Sequence, residues 1–249
     1  MEGPLQGSRV IVTGAARGIG AAIAAHLARC GATVAAIDRD PAPLRDAVAA
    51  LAGEGHVAVD VDLADPEAAR RAALEAVERL GGLDALVNNA GIFEKVPLED
   101  ISVEQWDRMI AINCRAPLVL MQACLAALSA SGRGRIVSIT SMGAKLPAPL
   151  EAHYAASKAA LMALTRAAAT EWGNRQITVN AVSPGYVLTE MGAADRSAAE
   201  VAAWSARSPL GRLAGTDDVA AVVAFLLSEQ ASYLTGQTID VAGGMVMSL

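Results

Sequence analysis

The chain has 249 residues, with 26 Asp and Glu against 20 Lys and Arg, a formal charge of −6, and 53% hydrophobic against 18% charged residues. That balance excludes an intrinsically disordered chain and argues against a nucleic-acid surface, which would need a basic stripe. The three cysteines, Cys30, Cys114 and Cys124, show no paired spacing and the three histidines are scattered, so neither a disulfide framework nor a zinc site is expected and no metal is assigned.

Short β-branched runs alternate with longer alanine-rich stretches of helical period. Strands are predicted at Val10–Thr13, Thr33–Asp38, His56–Val61, Ala85–Asn88, Arg135–Thr140, Ile177–Val182 and Gln237–Val241. Helices are predicted at Gly18–Cys30, Pro43–Ala52, Pro66–Leu80, Val103–Ser131 (one helix or two), Ala152–Trp172 and Asp217–Leu227, the last capped by Thr216. Such alternation implies right-handed βαβ crossovers. The expected fold class is α/β: a single-domain Rossmann fold over residues 1–249, with a doubly wound, seven-stranded parallel sheet flanked by helices. Residues 186–215 break the rhythm after a strand's carboxyl end, where such sheets bind ligands, and are expected to form a substrate lid. The N-terminus lacks a basic-then-apolar leader. The longest uninterrupted apolar run, Val219–Leu227, has nine residues against the roughly 20 of a membrane span. A cytoplasmic protein without a membrane partner is therefore expected.

The first strand runs into Thr13-Gly14-Ala15-Ala16-Arg17-Gly18-Ile19-Gly20. Glycines there let the backbone turn and approach a pyrophosphate, and the following helix aims its N-terminal N–H groups at that anion. Strand two ends in Asp38. A carboxylate at that place accepts both ribose hydroxyls of an adenosine and repels a 2′-phosphate, which favours NAD over NADP. Arg39 and Arg17 lie close enough in sequence to stack on adenine or meet a phosphate, and they weigh on the other side.

Further along come Asn88-Asn89-Ala90-Gly91 after strand four, Ser141 ahead of Tyr154-Ala155-Ala156-Ser157-Lys158, and Pro184-Gly185 followed by Thr189. Together, in this order and over nearly the full length, these motifs resemble the short-chain dehydrogenase/reductase family in its branch of roughly 250 residues. The resemblance implies a catalytic set of Asn113, Ser141, Tyr154 and Lys158. It implies a dinucleotide held by Gly14, Arg17, Gly18, Ile19, Gly20, Asp38, Asp62, Leu63, Asn89, Ala90, Gly91, Tyr154, Lys158, Pro184, Gly185, Val187 and Thr189. Asp62 and Leu63 would contact adenine, Lys158 the nicotinamide ribose, and Asn113 would help hold a water that relays protons to Lys158.

Tyr154 and Lys158 are one helical turn apart and share a face. A free phenol, with a pKa of about 10, is a poor base near neutrality, and a neighbouring ammonium lowers that value. Lys158 is thus expected to tune Tyr154 for general acid/base work, with Ser141 stabilising charge on the substrate oxygen. Strand alternation turns Thr140 away from that end. His153 is expected to be structural or at the pocket rim.

Substrate contacts are assigned to Ser141, Lys145, Glu151, Tyr154 and Tyr186, beside Met142 and the segment Met191–Trp204. Lys145 and Glu151 either give the pocket ionic character, suiting a polyol, sugar or small hydroxy compound, or are solvated rim residues. The leading expectation is an NAD-dependent oxidoreductase interconverting a secondary alcohol and its ketone, with NADP less favoured. One alternative is a 3-oxoacyl-[acyl-carrier-protein] reductase using NADPH, which Asp38 opposes. Another is a non-catalytic, dinucleotide-sensing binding protein, against which Tyr154 and Lys158 both stand. The small-residue stretch Ala159–Ala169 resembles the family's subunit contacts and implies a homotetramer.

Overall fold

A computed structural model describes residues 3–188 and 197–247. β1 (Arg9–Thr13) is covered on both faces, as parallel strands between helical layers are. Val10 and Val12 point into one core layer and Ile11 into the other. α1 (Gly18–Arg29) follows, then β2 (Thr33–Asp38), α2 (Pro41–Ala49), β3 (Val57–Asp60), α3 (Pro66–Leu80) and β4 (Ala85–Asn88). The predicted start of α2 moves to Pro41, because proline at the first helical position needs no N–H partner. α3 has the bounds its sequence announces. Asp65 caps the N–H groups of Glu67 and Ala68, Pro66 opens the helix and Gly81 closes it at φ 68°. Its buried stripe is Ala69, Ala72, Ala73 and Ala76.

The predicted Val103–Ser131 segment resolves into α4 (Val103–Ile110), a π turn at Ala111–Arg115 and α5 (Ala116–Ala130). By length and composition, Val103–Ala130 is long and apolar enough to cross a membrane, although polar residues interrupt its apolar runs. Its most apolar window is 56% buried inside the fold, and Leu120, Met121, Cys124 and Leu128 pack in the core with α3. β5 (Arg135–Ile139), α6 (Ala152–Trp172) and β6 (Thr178–Pro184) complete the central layer.

Within residues 186–215 lie β7 (Val187–Leu188), α7 (Ala198–Ser205) and β8 (Ala214–Gly215), with β7 and β8 paired in parallel. α8 begins at Thr216 and ends at Leu227, and β9 (Thr238–Val241) follows. Thr216 does not cap α8. It is the first helical residue, and Asp218 takes the capping role by accepting the Gly215 N–H at 2.8 Å.

Among the described residues seven parallel strands form one sheet in the order β3-β2-β1-β4-β5-β6-β9. α1 and α8 cover one face, α3 and α5 the other. The strand order reverses between β1 and β4, so the loops leaving their carboxyl ends splay apart and open a crevice there.

Candidate active site

The loop after β1 and the start of α1 form one wall of that crevice. Arg17 stands at the N-cap of α1 in extended conformation and its side chain bonds no helix N–H, so the first amides of the helix are uncapped beside Gly18, Ile19 and Gly20. The loop is drawn tight. A Cβ on Gly20 would sit 2.0 Å from the Gly14 carbonyl oxygen, and one on Gly14 would sit 2.8 Å from the Ala90 Cα. Thr13 fastens the opposite wall, its Oγ1 accepting from the N–H groups of Asn89 and Ala90 at 3.0 Å each. Asn89 in turn donates to the carbonyl oxygens of Thr13 and Gly14.

The result is a cleft of about 630 Å³ bordered by Gly14, Arg17–Gly20, Asp38–Asp40, Val61–Leu63 and Asn89–Ile92. At its far end the Asp38 carboxylate accepts backbone N–H groups from Ala16, Arg39 and Asp40. Sequence reasoning passed over Asp40, whose carboxylate pairs with Arg17 at 2.8 Å. A glycine loop, an uncapped helix end and a fixed acid in one cleft are the donor set a dinucleotide requires, so the residues fit the group.

The other end is built by β4, β5, the π turn and α6. Asn113 is fully buried. Its Nδ2 donates to the Ile92 carbonyl and to Ser157 Oγ, and its Oδ1 accepts the Ile92 N–H at 2.8 Å. The side chain thereby clamps the loop after β4 onto α6. The buried Lys158 donates from Nζ to the Ile139 carbonyl at 2.9 Å. A Cβ on Gly91 would lie 3.2 Å from both Lys158 Nζ and Asn113 Oδ1, which only a glycine accommodates without a shift. Burial pushes the Lys158 amine down to about 8, with Cys114 acting in the opposite sense.

Ser141 stands just past β5, and its Oγ accepts the Gly143 N–H at 3.1 Å. Thr140 turns away as alternation predicts, donating to the Val182 carbonyl. Around Gly143 the side chains expected to act on the substrate lie together. A Cβ placed there would lie 3.4 Å from Ser141 Oγ, 3.7 Å from Glu151 Oε2 and 3.8 Å from Tyr154 Cε1. One expectation is corrected at this point. The phenol of Tyr154 is held above its usual range, by burial first and by the Glu151 charge in addition, while the Ser141 hydroxyl pulls the other way. Lys158 lies 5.9 Å from the ring centroid with its amine turned to the Ile139 carbonyl.

A family model described as enoyl-(acyl carrier protein) reductase matches residues 14–246. Gluconate 5-dehydrogenase of Gluconobacter oxydans is 37% identical over 249 residues, covering 98% of this chain and 97% of its own. D-Threitol dehydrogenase of Mycolicibacterium smegmatis is 35% identical, covering 96% and 93%. The chain belongs to the short-chain dehydrogenase/reductase family. A solved structure described as a putative NAD(P)-dependent gluconate 5-dehydrogenase from Beutenbergia cavernae, with bound NADP, superposes with a TM-score of 0.89 at 41% identity, covering 98% of each chain. This dehydrogenase/reductase is accordingly a pyridine-nucleotide-dependent oxidoreductase of CH–OH groups.

In this family member a second cavity, of about 780 Å³, adjoins Ser141 and Tyr154. Ser141, Tyr154, Glu151 and Tyr186 border it as expected. Lys145 does not. Its amine binds the Asp240 carboxylate on β9 at 2.7 Å and draws the side chain off the wall. Gly185 and Val187, expected at the cofactor, border this second cavity, Pro184 is buried as the last residue of β6, and Thr189 and Met191 lie outside the described residues. His153 is fully buried, with Nε2 3.9 Å from Glu94 Oε2. Sequence reasoning missed Phe93, whose ring stands edge-on to Tyr154 at 4.9 Å, as well as Lys95 and Arg207. Position next to the Asn89–Gly91 motif was the only available signal for the first two.

Proposed function

We propose that this protein interconverts a secondary alcohol of the polyol, sugar or small hydroxy class with its ketone, using NAD in preference to NADP, with Tyr154 as general acid/base. The observation that carries the reading is the convergence of Ser141 Oγ, the Tyr154 ring and a cavity wall at Gly143, beside a cleft with a dinucleotide's donor set. A bound nicotinamide would take up or return the carbinol hydride. The protein's own part is positional and electrostatic. Ser141 holds the substrate oxygen, Tyr154 takes its proton in oxidation or supplies one in reduction, and Lys158 stands beside Gly91 as a cation below a pH of about 8. Glycines 14, 18 and 20 with the α1 amides hold the pyrophosphate, while Asp62 and Leu63 line the adenine end.

Preference for NAD rests on Asp38, fixed by three backbone N–H groups, and on Asp40, which occupies Arg17 and leaves that guanidinium less free to claim a 2′-phosphate. We read residues 186–215 as a substrate lid within one domain, and the assembly as a cytoplasmic homotetramer. Exposed Ala159 and Ala163 on α6 offer a close-packing face for such contacts.

The test is a cofactor-reduction screen of polyols, sugars, hydroxy acids and, in reverse, 3-oxoacyl thioesters, run with both dinucleotides. Polyols or their acids should turn over with NAD, and Tyr154→Phe should lower kcat by about 10²–10⁴-fold, the usual scale of lost general acid/base catalysis. Equal rates for the variant would remove the assigned role. Faster turnover with NADPH, insensitive to Asp38→Ala, would remove the cofactor preference.

A further inference from the structure

The second cavity has an uneven distribution of charge. At its inner end the Glu151 carboxylate shares the surroundings of Gly143 with Ser141 Oγ and the Tyr154 ring. It stands at the N-cap position of α6 without capping the helix, so its oxygens remain available. Leu150 before it is held at φ 71° and accepts the Val96 N–H at 2.9 Å, which ties this rim to the one carrying Lys95. At the outer rim stand two exposed cations, Lys95 and Arg207. The Arg207 guanidinium lies 4.3 Å from the Trp204 ring, and Trp204 stacks on Tyr186 at 4.1 Å, so it rests on a built aromatic platform. A second acid on the wall, Glu200, accepts the N–H and hydroxyl of Ser197 at the start of α7.

Resting on the dehydrogenase reading above, we propose that the cavity selects a polyhydroxy chain carrying a terminal oxyanion remote from the reacting carbon: Lys95 and Arg207 take the oxyanion, and Glu151 accepts the hydroxyl next to the carbinol. A carboxylate adjacent to the carbinol would face Glu151 across a partly dry site and be repelled. A carboxylate or phosphate ester at the far end would meet a planar guanidinium suited to bidentate pairing. Either source of oxyanion satisfies the rim.

The experiment compares kcat/KM for glucitol, gluconate, glucitol 6-phosphate and lactate with saturating dinucleotide. Gluconate or glucitol 6-phosphate should exceed glucitol by tenfold or more, and which of them leads identifies the oxyanion. Lactate should lag behind all three. Arg207→Gln and Lys95→Gln should each lower the ratio of anionic to neutral substrate by about tenfold, through KM, and 0.5 M salt should narrow it. Arg71→Gln, an exposed cation on α3 far from the cavity, should leave the ratio as it is. Glu151→Gln should weaken the three polyhydroxy compounds and raise the relative rate of lactate. Turnover in which the neutral compound matches the anionic ones, or a ratio that survives the Lys95/Arg207 double variant, overturns the inference and leaves the dehydrogenase reading intact. No turnover of any compound with either dinucleotide overturns both.

Discussion

Tyr154 is held as a phenol by its surroundings, and that has a measurable sign. In the proposed alcohol oxidation the phenol would have to lose its proton before taking another, so the rate should rise with pH through its titration. Burial and Glu151 move that limb upward and Ser141 moves it downward. The kcat profile of Glu151→Gln should therefore shift toward lower pH, and that of Ser141→Ala toward higher pH on top of a reduced plateau. Lys158 titrates in the other sense. Its folded value of about 8 lies below its ordinary 10.5, so between those limits the unfolded chain binds more protons and stability from this group rises with pH. Relative to Lys158→Met, the wild-type chain should gain up to about 1.4 kcal/mol per pH unit across that window, read from urea midpoints. The shared helix face of Tyr154 and Lys158 was legible from their spacing, and the expected reacting set from the family resemblance. Their protonation was not, because the burial of Tyr154 and the Ile139 carbonyl that receives Lys158 come from elements far apart in the chain.

Helices and their loops carry the next level of constraint. At Gly20 the chain passes within contact of its own Gly14 carbonyl, so Gly20→Ala must displace backbone rather than a side chain. A stability loss of about 1–3 kcal/mol, the scale of overpacking, is expected, together with weaker dinucleotide binding by fluorescence titration. The bounds of α3 could be read directly, since Asp65, Pro66 and Gly81 are local signals. The π turn at Ala111–Arg115 could not, because one extra residue in a helical turn leaves the apolar pattern nearly unchanged. Yet that turn sets Asn113 against Ile92 and Ser157. Asn113→Ala leaves the Ile92 N–H and carbonyl without these partners, and about 1–3 kcal/mol of stability should go with them, measured as a lower Tm. The ion pair that takes Lys145 out of the cavity spans 95 positions, and the stack of Tyr186 on Trp204 crosses the irregular segment. Neither pairing has a local signature.

Across the whole molecule, the sheet is fastened at the end opposite the site. Asp84, 4% exposed at the start of β4, accepts the Arg9 N–H and Nε at 2.9 Å each, and Arg133 at 3.3 Å. Burial pushes its carboxyl up, but Arg9's hydrogen bonds and the charges of Arg9 and Arg133 outweigh this and leave it below the ordinary value. A depressed folded value stabilises the native state above the unfolded pKa of 3.8, and that contribution is lost as pH falls through the folded value. Asp84→Asn should cost about 2 kcal/mol at neutral pH, the scale of a charged hydrogen bond, and flatten the acid limb of stability in calorimetry. The α/β class and the strand sequence were legible because alternation of short β-branched runs with helical stretches admits few topologies. The division of the site into two cavities was not, since it depends on where the irregular segment folds back.

One loop, leaving β4, serves as the partition between those two cavities: Asn89–Ile92 face the cleft, while Phe93 and Lys95 face the second chamber. Thr13 and Asn113 grip this partition from either side, so an occupant of the cleft is expected to settle one wall of the neighbouring chamber. Turnover should then follow a compulsory sequence of arrivals, dinucleotide leading, and product-inhibition kinetics should show competition between its oxidised and reduced forms alone.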